Sequence, residues 1–353
     1  MNKINLLLID TNSRSREDRI SLSVSVRLSG IFKYLRDKNS INFVTINENQ
    51  IASLISIDWP DIIFIGNGRY VTQNIINLIN QAKIKNKKIY CDIDDYTRSL
   101  PSYTSHTRAQ STNSITHLFQ LVDGITVSNA LLKLHIEELG FSSTVLPNCI
   151  YFDYFEPFRK KLSPNQNKIV FINTDLIKMI NGKYGFLTAI NIFMQENPNL
   201  EIDYFGDPFP ELFSLNKIHF NDRMSYETMM KILLNGNYLF AIVPLGGNEE
   251  DSTTKSFHTF KNPFKYINYG LANIPAIYSD AFIYSNIISN GLNGIITQNS
   301  YDGWYSALNS MNGDANLRAQ ISKNALKDIR KNFNVYDAAD IIMDKFICHY
   351  RWI

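Results

Sequence analysis

The sequence predicts an α/β protein of two doubly wound domains in tandem, and three observations carry that prediction. Short, nearly continuous apolar runs alternate with longer segments of helical periodicity, the pattern of parallel α/β units whose strands are covered on both faces. The alternation breaks once, across residues 150–167, and then restarts with the same rhythm. The 353 residues also exceed the roughly 100–200 usual for a single domain. The expected architecture is therefore a pair of Rossmann-like domains facing each other across a cleft.

In the first half, strands are expected at residues 4–10 (INLLLID), 41–46 (INFVTI), 61–66 (DIIFIG), 87–92 (KKIYCD), 124–128 (GITVS) and 144–147 (TVLP). Helices fill 20–37, 71–85, 106–121 and 128–139 between them. Residues 151–167 carry Pro157, Pro164 and the basic run Arg159-Lys160-Lys161, and read as the linker after a first domain of residues 1–150. In the second half, strands are expected at 168–173 (KIVFIN), 200–206 (LEIDYFG), 217–220 (KIHF), 238–245 (YLFAIVPL), 275–279 (PAIYS) and 294–297 (GIIT). Helices fill 183–196, 226–235, 261–272, 301–310, 314–332 and 336–349. The second domain spans 168–335, leaving 336–353 as a C-terminal helical segment.

Composition narrows the function classes. A formal net charge of +2 argues against a chain that coats nucleic acid. The three cysteines, Cys91, Cys149 and Cys348, are far apart and odd in number, which suits a reducing compartment and offers no paired zinc ligands. The apolar run in MNKINLLLID is too short for a signal peptide or a membrane span, so a cytoplasmic protein is expected.

Ligands of open α/β sheets bind beyond the carboxyl ends of the strands, so residues just after each strand are the candidates. The stretch IYCDIDDY, residues 89–96, places Asp92, Asp94 and Asp95 there. Three aspartates after a strand suit a metal-binding D-x-D, a phosphatase nucleophile, or caps for the next element. A phosphatase normally carries its D-x-D on the first strand; here that strand leads into DTNSRSRED.

Residues 260–297 read FKNPFKYINYGLANIPAIYSDAFIYSNIISNGLNGIIT. A helix carrying Lys261 and Lys265 one turn apart leads through Gly270 to Pro275, a buried strand, Ser279-Asp280 and the turn Asn290-Gly291-Leu292-Asn293-Gly294. Free amides at a helix start together with lysines neutralise a diphosphate without metal; two solvated lysines are the competing reading. This string resembles the donor domain of GT-B glycosyltransferases, particularly the family-4-type (group 1) enzymes. Val127-Ser128 and Leu146-Pro147-Asn148 are similar to that family's motifs before its linker, and the element order over 200–245 matches. The resemblance covers most of the chain.

It implies transfer of a sugar from a nucleotide-diphosphate sugar to a saccharide or lipid-linked saccharide, with retention, no metal and no other cofactor, in bacterial surface-polysaccharide synthesis. On the donor side it implies Lys261 and Lys265, Lys178 or Lys183, Asn268 at the ribose, and Asn173 and Thr174 where the strand 168–173 ends. Asp94 and Asp95 become catalytic candidates, with Asp92, Arg14 and Arg16 on the acceptor side. The last helix is expected to pack back on the first domain. The family's two glutamates fall at Phe260 and Asn268, so neither acid is present, and Glu249, Glu250 and Asp251 in a polar loop over 246–259 are candidate substitutes. Those losses leave open a lapsed, non-catalytic binding subunit; DIDD leaves open a metal-dependent phosphate-ester hydrolase. His106, His117, His135 and His258 lack ligand spacing. The run KIKNKK (83–88) and the tail KFICHYRWI (345–353) are candidates for peripheral contact with a membrane carrying the acceptor.

Overall fold

The structure, a computed structural model, describes residues 3–11, 21–53, 57–66, 68, 71–95, 112–160, 166–172, 185–206, 217–222, 224–245 and 252–348. Arg14, Arg16, Arg19, His106, Asn173, Thr174, Lys178, Lys183 and the acidic run Glu249, Glu250 and Asp251 lie outside the described residues.

Two six-stranded sheets hold every described strand. The first comprises β1 (Ile4–Asp10), β2 (Ile41–Asn47), β3 (Ile62–Gly66), β4 (Lys88–Ile93), β5 (Gly124–Val127) and β6 (Thr144–Val145), in the order β2-β1-β3-β4-β5-β6. The second comprises β7 (Lys168–Ile172), β8 (Glu201–Phe205), β9 (Ile218–Asn221), β10 (Tyr238–Val243), β11 (Ala276–Ser279) and β12 (Ile295–Thr297), in the order β12-β11-β10-β7-β8-β9. All pairings are parallel, so each sheet gathers its carboxyl ends along one edge. The central β3 and β10 are buried at every position, which is why they read as unbroken apolar runs. Edge strand β2 alternates exposed and covered residues instead.

Each sheet lies between two apolar clusters. Helix Gly30–Asp37 turns Ile31, Phe32 and Leu35 onto β1 and β3, and the C-terminal helix Val335–Ile342 adds Val335, Ala338, Ala339 and Ile342 to the same cluster. That i, i+3, i+4, i+7 stripe returns the chain's end to the first lobe. Helix Phe186–Glu196 starts on Gly185 at φ 62°, where an added Cβ would stand 2.3 Å from the amide nitrogen of Tyr301. Glycine alone accepts that backbone and that approach.

Two elements near the carboxyl edge of the second sheet differ from expectation. Residues 246–259 were expected as one polar loop, yet Ser252–Thr259 is a helix, because Phe257 and His258 are buried and give it an inward side. The helix expected from residue 261 starts at Phe264. Pro263 disfavours helical backbone at Asn262, so Lys261 lies ahead of the helix and does not share a face with Lys265.

The lobes meet first along the linker. Ile150 donates its N–H to the Phe333 carbonyl at 2.7 Å, so the two crossing segments run side by side. Val26 of the first lobe shares an apolar cluster with Ile150, Phe155 and Tyr226. Lys33 donates to Glu227 across the lobes at 2.9 Å and stands 4.4 Å over the Tyr154 ring, while Lys231 donates to the other Glu227 oxygen at 2.8 Å. Burial alone would raise the Glu227 pKa, but hydrogen bonds from Lys231, Tyr154 and Lys33 and the Lys33 charge bring it from 4.5 to about 2. A carboxylate depressed on folding contributes stability that is present above its unfolded pKa and is lost as pH falls through the folded one. Glu227→Gln is therefore expected to lower Tm at pH 7 and to converge with the wild type as pH falls from 4.5 to about 2, read by thermal melts across that range. Parallel curves would contradict the assignment.

Candidate active site

The candidate site forms where the carboxyl edges of the two sheets come together. In the first sheet the strand order reverses between β1 and β3, and in the second between β7 and β10, the switch points at which such sheets leave a crevice. At the end of β1, the fully buried Asp10 accepts hydrogen bonds from the Ser21 hydroxyl at 2.9 Å and from the Ser21 backbone N–H. Gly66, at the end of β3, could carry no Cβ without meeting Val24 Cγ2 at 2.6 Å.

Beneath the aspartate cluster lies a buried arginine. A π-helical turn, Ser25–Ser29, buries Val26, Arg27 and Leu28 consecutively. Arg27 Nε donates to Asp92 Oδ2 at 2.7 Å and Nη2 to Oδ1 at 2.6 Å, a bidentate pair. Nη1 donates to the Leu146 carbonyl at 3.1 Å and to Asn148 Oδ1 at 2.9 Å. Thr126, which pairs with Asp92 in the β4–β5 ladder, donates its hydroxyl to Asp92 Oδ1 at 2.7 Å. Burial pushes the Arg27 pKa down, but the Asp92 charge and hydrogen bonds, with Asp94 behind them, raise it above its ordinary range. The guanidinium is therefore charged, paired and shielded from water.

This geometry changes the part expected of Asp92. At 2 % exposure, with both oxygens taken by Arg27 and Thr126, it faces inward and offers no acceptor contact. The D-x-D metal reading loses the same carboxylate. Among the described residues, no three His, Cys, Asp or Glu side chains gather to hold a metal ion. Asp94 is buried at the end of the strand, and Asp95 is half-buried beyond it.

From the second lobe, residues 260–262 reach this edge. Asn262 Nδ2 donates to the Asp94 carbonyl at 2.6 Å, and Asn148 Nδ2 donates to Asn262 Oδ1 at 2.7 Å. Asn129 Nδ2 donates to the Phe260 carbonyl at 3.3 Å, and the Phe260 ring packs on the first lobe beside His135. Lys261, between these docked neighbours, holds its ammonium 4.4 Å over the Phe257 ring and pairs with no carboxylate among the described residues. The helix Phe264–Ala272 starts immediately behind it, with no side-chain cap hydrogen bond. Lys265 sits half-buried in its first turn.

Other expected residues lie elsewhere. Asn268 is 3 % exposed, and its Oδ1 accepts from Tyr226 Oη at 2.9 Å, so that oxygen serves the core and not a ribose. Asn293 of the double-glycine turn donates to the Tyr266 hydroxyl at 2.7 Å, and Tyr266 donates to Asp328 at 2.6 Å, which makes the turn a structural brace. His117 is exposed, while His135 and His258 are buried. Two hollows of about 400 and 480 Å³ lie at the opposite, amino ends of the strands, around Lys88, Gly124 and Phe346 and around Lys168 and Tyr238. The sequence flagged Asn148 through its motif but missed Arg27 and Asn262. For Arg27 the one available signal was its place between the apolar Val26 and Leu28.

No protein-family model matches the chain, and no curated protein matches it. Solved structures do. The HepE protein of Anabaena, crystallised with UDP and glucose, superposes at a TM-score of 0.61 with 12% identity, over 97% of this chain and 98% of that one. A glycosyltransferase from Rickettsia africae matches at 0.57 with 13% identity, over 100% and 99%. A putative UDP-N-acetylglucosamine 2-epimerase from Listeria monocytogenes matches at 0.60 with 10% identity, over 100% and 98%. The fold is of the GT-B glycosyltransferase type, with two Rossmann-like lobes. No helix among the described residues is long and apolar enough to cross a membrane.

Removing one partner of a buried ion pair leaves the other charge uncompensated, at a cost of about 3–5 kcal/mol. Asp92→Asn is expected to destabilise the protein by that order, read as a fall in Tm at neutral pH. A loss no larger than that of an exposed pair, below about 1 kcal/mol, would show that Arg27 is reached by water.

Proposed function

We propose that the protein is a glycosyltransferase that moves a sugar from a nucleotide-diphosphate donor to a saccharide or lipid-linked saccharide, in the assembly of a bacterial surface polysaccharide. One observation carries the reading: Asn262 of the second lobe bonds to the Asp94 backbone of the first. It sets Lys261 and the start of helix Phe264–Ala272 beside the Asp94-Asp95 segment. A diphosphate at that helix start would meet main-chain amides and an ammonium group that pairs with no carboxylate among the described residues.

In this reading Lys261 and the amides of the helix start hold the donor diphosphate. Lys265 supports them, with Lys178 or Lys183, Asn173 and Thr174 completing the donor side. Asp95, half-buried at the crevice, orients the acceptor hydroxyl or stabilises the charge that develops on the sugar ring, with Asp94 beside it. Arg14 and Arg16 serve an anionic acceptor. The donor phosphate accepts the acceptor's proton in a retaining, metal-independent transfer. Support for a uridine nucleotide comes from the UDP-bound structures of HepE and of TarM from Staphylococcus aureus. The absence of acids at Phe260 and Asn268 favours a second reading, a subunit that binds the nucleotide without turnover.

Titration with UDP and UDP-glucose, with and without magnesium, tests the proposal. Binding is expected in both conditions, and Lys261→Ala is expected to weaken it about 10–100-fold, the effect of losing one charge-assisted contact. Unchanged affinity in Lys261→Ala would overturn the donor assignment. Binding without sugar transfer or UDP release in any acceptor mixture would favour the non-catalytic reading. Interconversion of UDP-sugars without transfer would point to an epimerase.

A further inference from the structure

Four side chains and one carbonyl form a closed hydrogen-bonded circuit at the crevice, and its polarity is dictated throughout. Arg27 can only donate, so the atom of Asn148 that meets it at 2.9 Å must be the amide oxygen. The Asn148 nitrogen is thereby turned to Asn262, which must present its own oxygen at 2.7 Å. That leaves the Asn262 nitrogen for the Asp94 carbonyl, which can only accept, at 2.6 Å. The circuit closes through Ile93 to Asp92, whose carboxylate holds the arginine. Neither asparagine can flip without facing two like groups towards each other. Each bond polarises the next, starting from a buried full charge.

Asn262 is the circuit's sole member from the second lobe, and Lys261 is covalently next to it. Phe260 and Asn262 both dock on the first lobe while Lys261 lies over Phe257. A displacement of Lys261 is therefore transmitted to the backbone of Asp94 through one side chain. We propose that Asn262 and Asn148 are positioning residues that couple occupation of the donor site to the placement of the Asp94-Asp95 segment. The inference rests on the donor reading above and goes beyond it, because it assigns a route between the donor and acceptor sides. A misplacement of order 1 Å at a reacting group costs on the order of 100-fold in rate, so such a link has catalytic consequence.

The variants are chosen to fold. Asn148→Ala leaves Arg27 Nη1 bonded to the Leu146 carbonyl at 3.1 Å and leaves the Asp92 pair untouched. Asn262→Asp still accepts from Asn148 but cannot donate to Asp94. The first probe is hydrogen exchange of peptides covering residues 92–95, measured with and without whichever of UDP, GDP, dTDP or ADP binds the wild type.

That nucleotide is expected to slow exchange there in the wild type. The slowing should vanish in Asn262→Ala, Asn262→Asp and Asn148→Ala while the nucleotide's Kd moves by less than about 3-fold. With the matching nucleotide sugar, kcat should fall about 10–100-fold with KM little changed. The double variant should lose no more than the worse single one, because both break one circuit. Slowing that persists in the variants, or losses that multiply in the double variant, would overturn the coupling. A wild type that binds none of the four nucleotides would overturn the donor reading and the coupling with it. Binding with no change at residues 92–95 would overturn the coupling alone.

Discussion

The buried pair between Arg27 and Asp92 is the interaction on which the crevice depends. A guanidinium taken out of water must have its charge compensated and its planar fork of donors satisfied. Here four bonds reach the end of β4 and the stretch Leu146–Asn148 after β6, so one side chain fixes those two segments and its own turn relative to one another. Such a pair is weak grounds for net stability, since well-packed apolar groups would fill the same space at less desolvation cost. Its geometric consequence is specific. The carboxyl end of β4 cannot shift without breaking a bidentate contact, and the π-helical turn that aims Arg27 cannot relax to regular helix without withdrawing it. π-Turns within helices recur at functional sites for that kind of reason.

The lobes are joined in two places of different character. Along the linker, the contacts are apolar and ionic: Val26 among Ile150, Phe155 and Tyr226, and Lys33 with Glu227. At the crevice they are neutral hydrogen bonds from Asn129, Asn148 and Asn262, beside one apolar contact made by Phe260. Neutral amide bonds are individually modest, about 1 kcal/mol net, and exchange readily for water. The linker contact thus suits a persistent pivot, while the amide contact suits a surface that parts and closes. An arrangement of this kind lets a ligand bias lobe closure through a small difference in contacts.

Much of the fold was legible in the sequence, because strands covered on both faces become continuous apolar runs that need no knowledge of their partners. The same logic failed where tertiary contact decides. Residues 246–259 read as polar loop, since two inward residues among Ser, Thr and Lys make too weak a period to register. Pro263 moved a helix start by three residues through a local rule that was available but outweighed by the appeal of paired lysines. Arg27 was not singled out, because its acceptors Asp92, Leu146 and Asn148 lie far along the chain. Asn262 had no local signature at all: its partners at positions 94 and 148 become neighbours only once both lobes are built.

The two positions where acids were absent now have physical explanations that differ. Phe260 belongs to the first lobe's apolar cluster beside His135, so a glutamate there would remove an apolar contact between the lobes and bury a charge in its place. Asn268 lies within the second lobe's helix packing, and a carboxylate with its exposure would need a compensating charge that Tyr226 does not supply. In this chain, helix Phe264–Ala272 is braced on its buried side by Asn268, which accepts from Tyr226, and by Tyr266, which donates to Asp328. In the proposed reading, its contact with an anion would be made at its start, through main-chain amides, Lys261 and Lys265. On the donor assignment proposed above, recognition built on backbone and ammonium groups would grip a diphosphate without reading the sugar attached to it. The choice of sugar would then fall to the residues around Asp94 and Asp95, which follow the Asp92 carboxylate that Arg27 holds.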